Sequence, residues 1–301
     1  MNEEMDVNKK RVFLEKLFHG LFFTAALFAV AAVMTIIVLI FIRGAQPFFP
    51  GNEFGTYRFL DFVTGTSWRP GFHTFGVGYM IVGSLLATLG AVILGVPIGV
   101  LTAVFIAEVA PKWLAAIMQP MIELLAAIPS VLYGVFGFAV IVPIIEGWSH
   151  HPTGDSLLAV ILVLTIMVLP SIVAISTAAL RAVPKVYKEG SLAVGASSIQ
   201  TIFKVLIPAA KSGILTGIVL GIGRAIGETM AVIMVAGMPE GGIPTTIFDR
   251  IRPLTTNIVL EQGYATGLQE QMLFSTAIVL FAFILLINLT LTVIRKKAVE
   301  V

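Results

Sequence analysis

Residues 189–228 read E-G-S-L-A-V-G-A-S-S-I-Q-T-I-F-K-V-L-I-P-A-A-K-S-G-I-L-T-G-I-V-L-G-I-G-R-A-I-G-E. The change of character inside this stretch decides the fold. Glu189 to Pro208 is polar and basic, whereas the run from Ser212 is apolar and glycine-rich, with Arg224 and Glu228 set into it. A watery loop thus feeds straight into a segment suited to lipid, and that segment carries a permanent positive charge. An arginine at the centre of a membrane helix costs at least about 2.5–3.5 kcal/mol on insertion scales, so it normally faces a cavity or a partner.

Composition extends this to the whole chain. Of 301 residues, 57% are hydrophobic and 12% charged, where a soluble domain carries about 25% charged residues. The main solvent is lipid, and the fold class is all-α integral membrane. A net charge of +2 without a dense Lys/Arg tract argues against nucleic acid as a partner. The absence of cysteine excludes disulfides, thiolate metal sites and cysteine nucleophiles.

Six long apolar runs succeed one another: 21–42, 76–107, 121–145, 157–180, 212–236 and 272–294. The first spans roughly 33 Å as a helix. It exceeds the roughly 7–15 apolar residues of a cleaved signal peptide and is expected to stay as an anchor. Pro97 predicts a kink in the second run, and Pro129 and Pro143 interrupt the third. Residues 43–75 have loop chemistry, with aromatics suited to a membrane interface. Glu146 to Ser156 is a short polar turn containing His150 and His151, a weak metal motif better read as loop residues.

Six spans place both termini on one side. That side holds thirteen Lys and Arg, counting the tails, Lys112 and loop 181–211; the other side holds five, Arg43, Arg58, Arg69, Arg250 and Arg252. By the positive-inside rule the termini and loop 181–211 are cytoplasmic. The expected organisation is a tail and first span over 1–42, a periplasmic loop over 43–75, a five-helix core over 76–294, and a cytoplasmic tail over 295–301.

Within loop 181–211, Leu192, Ile199, Ile202, Phe203, Leu206 and Ile207 roughly follow helical spacing, and Gly195 breaks the run. The pattern predicts two short helices around a bend. Periodicity alone leaves an ordinary amphipathic helix on the membrane surface equally open. The spacing of Glu189, Gly195 and Pro208, with Val205 and Ile207 between, resembles the cytoplasmic loop of ATP-binding-cassette import permeases. Gly190 and Ser191 stand where that pattern has two alanines; both are small, although glycine lowers helix propensity. The resemblance implies a coupling helix, at Glu189, Gly190, Ser191, Gly195 and Pro208, seated in a groove of an ATPase subunit.

In the fifth run, Gly213, Gly217 and Gly221 are four apart, the small-xxx-small spacing that lets membrane helices approach closely. At about 100° per residue, Arg224 and Glu228 continue their stripe. Two readings of the charged pair stand side by side. Four apart, they can neutralise each other and pin the bundle. Alternatively Arg224 offers a forked donor to an oxyanion, with Glu228 holding it while the path is closed.

The string R-A-I-G-E-T-M-A-V, residues 224–232, resembles the fifth-helix signature of phosphate import permeases. Met230, Ala231 and Val232 are similar to the PstC-type subunit rather than its PstA-type partner, as is E-L-L-A-A-I-P-S-V-L-Y-G at 123–134. The resemblance implies a type I importer permease (MetI-like) core with one extra N-terminal helix in a cell (inner) membrane, bacterial or archaeal. It implies no cofactor, and Arg224, Glu228 and Thr229 on the path or gate of inorganic phosphate. The partners it implies are a PstA-like permease subunit, two PstB-like ATPase subunits and a periplasmic PstS-like phosphate-binding protein.

No G-x-x-x-x-G-K-[ST] motif is present, so the chain is not expected to hydrolyse ATP. H-E-x-x-H and G-x-S-x-G are also absent, against an intramembrane hydrolase. Glu108 and Glu123 rank second, as interfacial carboxylates. Two rival functions stay open on the residues alone: the same architecture carrying sulfate or molybdate, and a secondary transporter in which Arg224 and Glu228 relay protons.

Overall fold

The computed structural model describes residues 2–149 and 152–300, with side chains for 14–149, 152–293 and 296. His150 and His151 lie outside the described residues, as do the side chains of Lys9, Lys10, Arg11, Arg295 and Lys297. In chain order, α1 runs Asn2–Ala45, α2 Phe59–Thr64, and strands β1 Trp68–Arg69 and β2 Thr74–Phe75 form a small hairpin. Helix α3 covers Gly78–Val104 and continues through a π-helical turn, Phe105–Val109. Then come α4 Lys112–Ala127, α5 Ser130–Phe136, α6 Val142–Ser149 and α7 Leu157–Arg181. Loop 181–211 holds α8 Lys185–Ala193, α9 Ser198–Thr201 and α10 Ile207–Ala209, α9 and α10 being joined by a π-helical turn, Ile202–Leu206, as α5 and α6 are by Gly137–Ile141. The chain closes with α11 Lys211–Gly227, α12 Met230–Ile233, α13 Leu254–Glu261 and α14 Leu268–Glu300.

Five helices are long and apolar enough to cross a membrane, and the bent pair Ser198–Ala209 and Lys211–Gly227 supplies a sixth. Their order follows the sequence reading, with two displaced boundaries. The third span was expected over 121–145, but Pro129 ends the helical run and the crossing segment is Ser130–Ser149. Proline lacks the amide a helix interior needs and biases the preceding residue, Ile128, to an extended backbone (ψ 127). Helix α4 is consequently separate, with Tyr133 donating its hydroxyl hydrogen bond to the Leu125 carbonyl at 2.6 Å across the break. The second displacement, in the fifth span, falls on the site itself.

Helix α7 is the axis of the bundle. It is buried along most of its length and packs against α3 on one side and α11 on another. The long α1 packs mainly near its outer end, where Ser275 donates to the Gly44 carbonyl at 2.7 Å and Phe41 meets Phe281 edge-on.

The outer loops are not loose. Residues 43–75 and 237–271 form one cap: Trp68 N–H donates to the Glu240 carbonyl at 2.7 Å and Gly242 N–H to that of Thr66 at 2.9 Å. Phe62, Trp68, Phe75, Leu254, Leu268 and Met272 share its apolar core. Trp68 was expected at a membrane interface; it is instead fully buried, at 0% exposure, because the hairpin turns its indole inward onto Phe75.

Candidate functional site

The fifth apolar run is not one helix. α11 ends at Gly227, and Glu228 adopts an extended backbone (φ −71, ψ 132) before α12 begins. Glycine and the β-branched Thr229 both disfavour helix at this point. Two side chains then satisfy backbone groups that the break exposes. The Glu228 carboxylate accepts the Ala231 N–H at 3.0 Å, and Thr255 donates its hydroxyl to the Glu228 carbonyl at 3.1 Å. Thr229 turns its hydroxyl onto the Gly227 carbonyl at 3.3 Å.

This corrects the expected pairing of Arg224 with Glu228 one helical turn away. The turn does not exist, and the carboxylate serves the backbone of α12. Among the described residues Arg224 makes no ion pair. It is half-buried, with its guanidinium within electrostatic reach of the Tyr133 phenol. An arginine on a membrane helix without a carboxylate partner is an electrostatically open donor.

Ser84, Thr88, Glu228 and Thr255 line a cavity of about 10 Å³ behind the break. That is room for one water and far too little for a tetrahedral oxyanion. On the opposite side, Leu220 is exposed and nothing lies within 4 Å of a side chain built at Gly223 or Gly227. The open space next to Arg224 is therefore on the outer face of α11, where a second chain would be needed to enclose it.

The glycine stripe packs into the bundle. A methyl group at Gly221 would sit 2.9 Å from Ile172 Cγ1, one at Gly217 would sit 3.2 Å from Ile175 Cβ, and one at Gly213 would collide with Ala179. All three partners are on α7, so the small residues bring α11 against the axis of the bundle.

In the cytoplasmic loop the two helices form as expected, separated by Gly195 at φ +88, a conformation that favours glycine. Ser197 and Gln200 cap α9 reciprocally. Glu189, Gly190, Gly195 and Pro208 are all exposed, and Ser191 is tied to Thr201 by a 2.9 Å hydroxyl pair. Pro208 sits just before the 70° bend into α11. Val186, Tyr187, Leu192, Val194, Ile199 and Phe203 project apolar side chains from the same loop into open space.

Of the second-rank acids, Glu108 is ion-paired with Lys188 at 2.6 Å. Glu123 accepts from Gln119 at 3.5 Å, and Gln119 in turn accepts from Arg181 at 2.6 Å. Three participants were missed in the sequence, namely Lys188, Thr255 and Tyr133. No local signal marks them, since each acts on a residue well removed along the chain.

The family described as binding-protein-dependent transport system inner membrane component matches residues 95–299. A curated Bacillus subtilis relative, named "Probable ABC transporter permease protein YqgH", is 40% identical over 87% of this chain and 86% of its own. The phosphate transport system permease protein PstC of Pasteurella multocida is 33% identical over 83% of each chain. Among solved structures, a bacterial alginate ABC transporter, in complex with its pentasaccharide-bound periplasmic protein, contains a chain that aligns over 94% of both with TM-score 0.66 and 16% identity. An inward-facing MetNI methionine ABC transporter aligns over 74% of this chain and 94% of its own, with TM-score 0.55 and 21% identity. At such identities the two structures speak for the fold alone, which is that of an ABC importer permease.

Proposed function

The chain belongs to the family of binding-protein-dependent transport system inner membrane components, and we propose that it is the PstC-like permease subunit of an ATP-driven importer of inorganic phosphate. As a family member it is a membrane permease component and not itself an enzyme. The observation that carries the phosphate reading is Arg224: a forked cation on a membrane helix, left without a carboxylate by the break at Glu228. A guanidinium binds an oxyanion through two parallel charge-assisted hydrogen bonds. The relatives named PstC support phosphate among oxyanions.

In this reading phosphate passes along the exposed face of α11, past Arg224 and Thr229. A PstA-like subunit encloses that face, since the cavity inside this chain is too small to hold the ion. Glu228 holds the break that presents Arg224 by accepting the Ala231 N–H. Two PstB-like ATPase subunits dock on Glu189, Gly190, Ser191, Gly195 and Pro208. A PstS-like binding protein delivers phosphate to the outer cap.

The test is labelled phosphate uptake in cells expressing this chain with its neighbouring transporter subunits, with excess arsenate, sulfate or molybdate as competitor. Arsenate alone should compete, and Arg224→Gln should abolish uptake while remaining membrane-inserted. Glu228→Gln should retain part of it, because a glutamine oxygen still accepts the Ala231 N–H. Equal competition by sulfate would remove phosphate as the cargo. Normal uptake by Arg224→Gln would remove Arg224 from the path.

A further inference from the structure

Glu108 and Lys188 lie eighty residues apart, and among the described residues theirs is the ion pair that joins α8 to the end of α3. Glu108 sits in the π-helical turn that ends α3, where Ala110 N–H reaches back to the Phe105 carbonyl at 2.7 Å. A π-turn inserts one residue and so rotates the downstream side chains by about 100° relative to an α-helix. Here the Glu108 side chain is only 11% exposed, while that of Lys188 is 45% exposed. A carboxylate so far withdrawn from water needs a close cation. Arg181, at the end of α7, donates to Gln119.

Lys188 therefore points inward from α8 while its neighbours Tyr187 and Glu189 point out. A second fastening, Ser191 to Thr201, holds α8 to the next helix. At its other end α3 meets the gate region: Ser84 accepts the Leu254 N–H at 3.0 Å and lines the same small cavity as Glu228. One continuous helix thus has the cytoplasmic loop at its inner end and the broken span at its outer end.

We infer that the Lys188–Glu108 ion pair is the latch through which a displacement of α8 is delivered to α3, so that Lys188 and Glu108 are positioning residues for coupled transport. Without the pair, α8 rocks on its Ser191–Thr201 fastening while α3 stays still, and ATP is hydrolysed without transport. The inference rests on the proposed attachment of an ATPase at α8.

The experiment compares Lys188→Met, Glu108→Gln and the charge-swapped Lys188→Glu/Glu108→Lys in the full transporter, measuring phosphate uptake and ATP hydrolysis together. Each single variant should lower phosphate moved per ATP by roughly three- to thirtyfold, with hydrolysis largely kept. The swap should recover most of the ratio. An unchanged ratio in both singles overturns the latch. So does a swap no better than the singles, or a loss of uptake and hydrolysis in parallel with loss of protein from the membrane. Failure of the phosphate reading is distinguishable, because it shows in the wild type. A cargo-independent readout covers that case. The chain has no cysteine, so spin labels at Val186→Cys and Val109→Cys report the α8–α3 distance alone. It should be narrow with Lys188 and broad with Lys188→Met; equal widths overturn the latch.

Discussion

The two ends of the molecule differ in how much apolar surface they gather into a core. The outer cap has an apolar core of its own, with Trp68 and Leu254 both at 0% exposure, while Phe72 and Leu60 at its rim stay exposed. The cytoplasmic loop points apolar side chains outward, with Val186 at 71% and Val194 at 85%. Within the outer cap the buried Arg252 pairs with Glu261, which Gln269 also contacts, whereas the Arg252 Nε, the Trp68 indole N–H and the Asn257 amide have no hydrogen-bond partner among the described residues. One end closes around a core of its own, and the other leaves most of its short helices' apolar side chains uncovered. Under the proposed function that difference supplies a firm outer platform and an inner surface open to a partner.

Mutations should separate the two ends. The largest effect is expected from Trp68→Ala, which empties a fully buried site and should destabilise the cap by about 3–5 kcal/mol. Thermal unfolding in detergent and new protease cleavage between residues 43 and 75 would register it; an unchanged melting curve would break the contrast. At the inner end, Val194→Asp with Ile199→Asp should leave unfolding within about 0.5 kcal/mol. The same pair should weaken retention of a co-expressed ATPase subunit about tenfold, or about 1.4 kcal/mol, read by co-purification.

Gly195→Ala should cost about 1 kcal/mol, because alanine resists φ +88. It should disturb α8 and leave the cap intact, which hydrogen exchange resolves by segment. The smallest effect concerns acid. The Thr246 and Thr245 amides bonded to Asp249 lower its carboxyl from the ordinary 3.8 to about 2. A depressed carboxyl stabilises the folded loop above its unfolded pKa and stops doing so as pH falls through the folded one. The opening free energy of 243–251, taken from exchange corrected for the intrinsic rate at each pH, should therefore be flat near neutrality and fall only as pH drops from about 4 towards 2, and Asp249→Asn should remove that fall.

Much of the site was legible before any fold. The glycine spacing at Gly213, Gly217 and Gly221 foretold close approach, and Gly195 foretold the bend, since both follow from what a missing Cβ permits. The break at Glu228 was not legible. Residues 224–236 are apolar enough to continue a helix, and hydropathy does not register where Thr255 and the Ala231 amide wait to satisfy an opened backbone. Residues 43–75 failed for a similar reason. Their Pro, Gly and aromatic content marks a loop, but whether Trp68 meets lipid or Leu254 depends on a segment almost two hundred positions away.

By itself the sequence determined the solvent, the number and order of the spans, their orientation and the chemistry available at Arg224. These follow from local composition and charge, which lipid and water sort segment by segment. The tertiary structure alone decided that Arg224 stands without Glu228, that the outer loops close into a cap, and that Lys188 reaches Glu108. Each of these is a choice between partners for a polar or apolar group, and such choices are settled only when distant segments are brought within a few ångströms of one another.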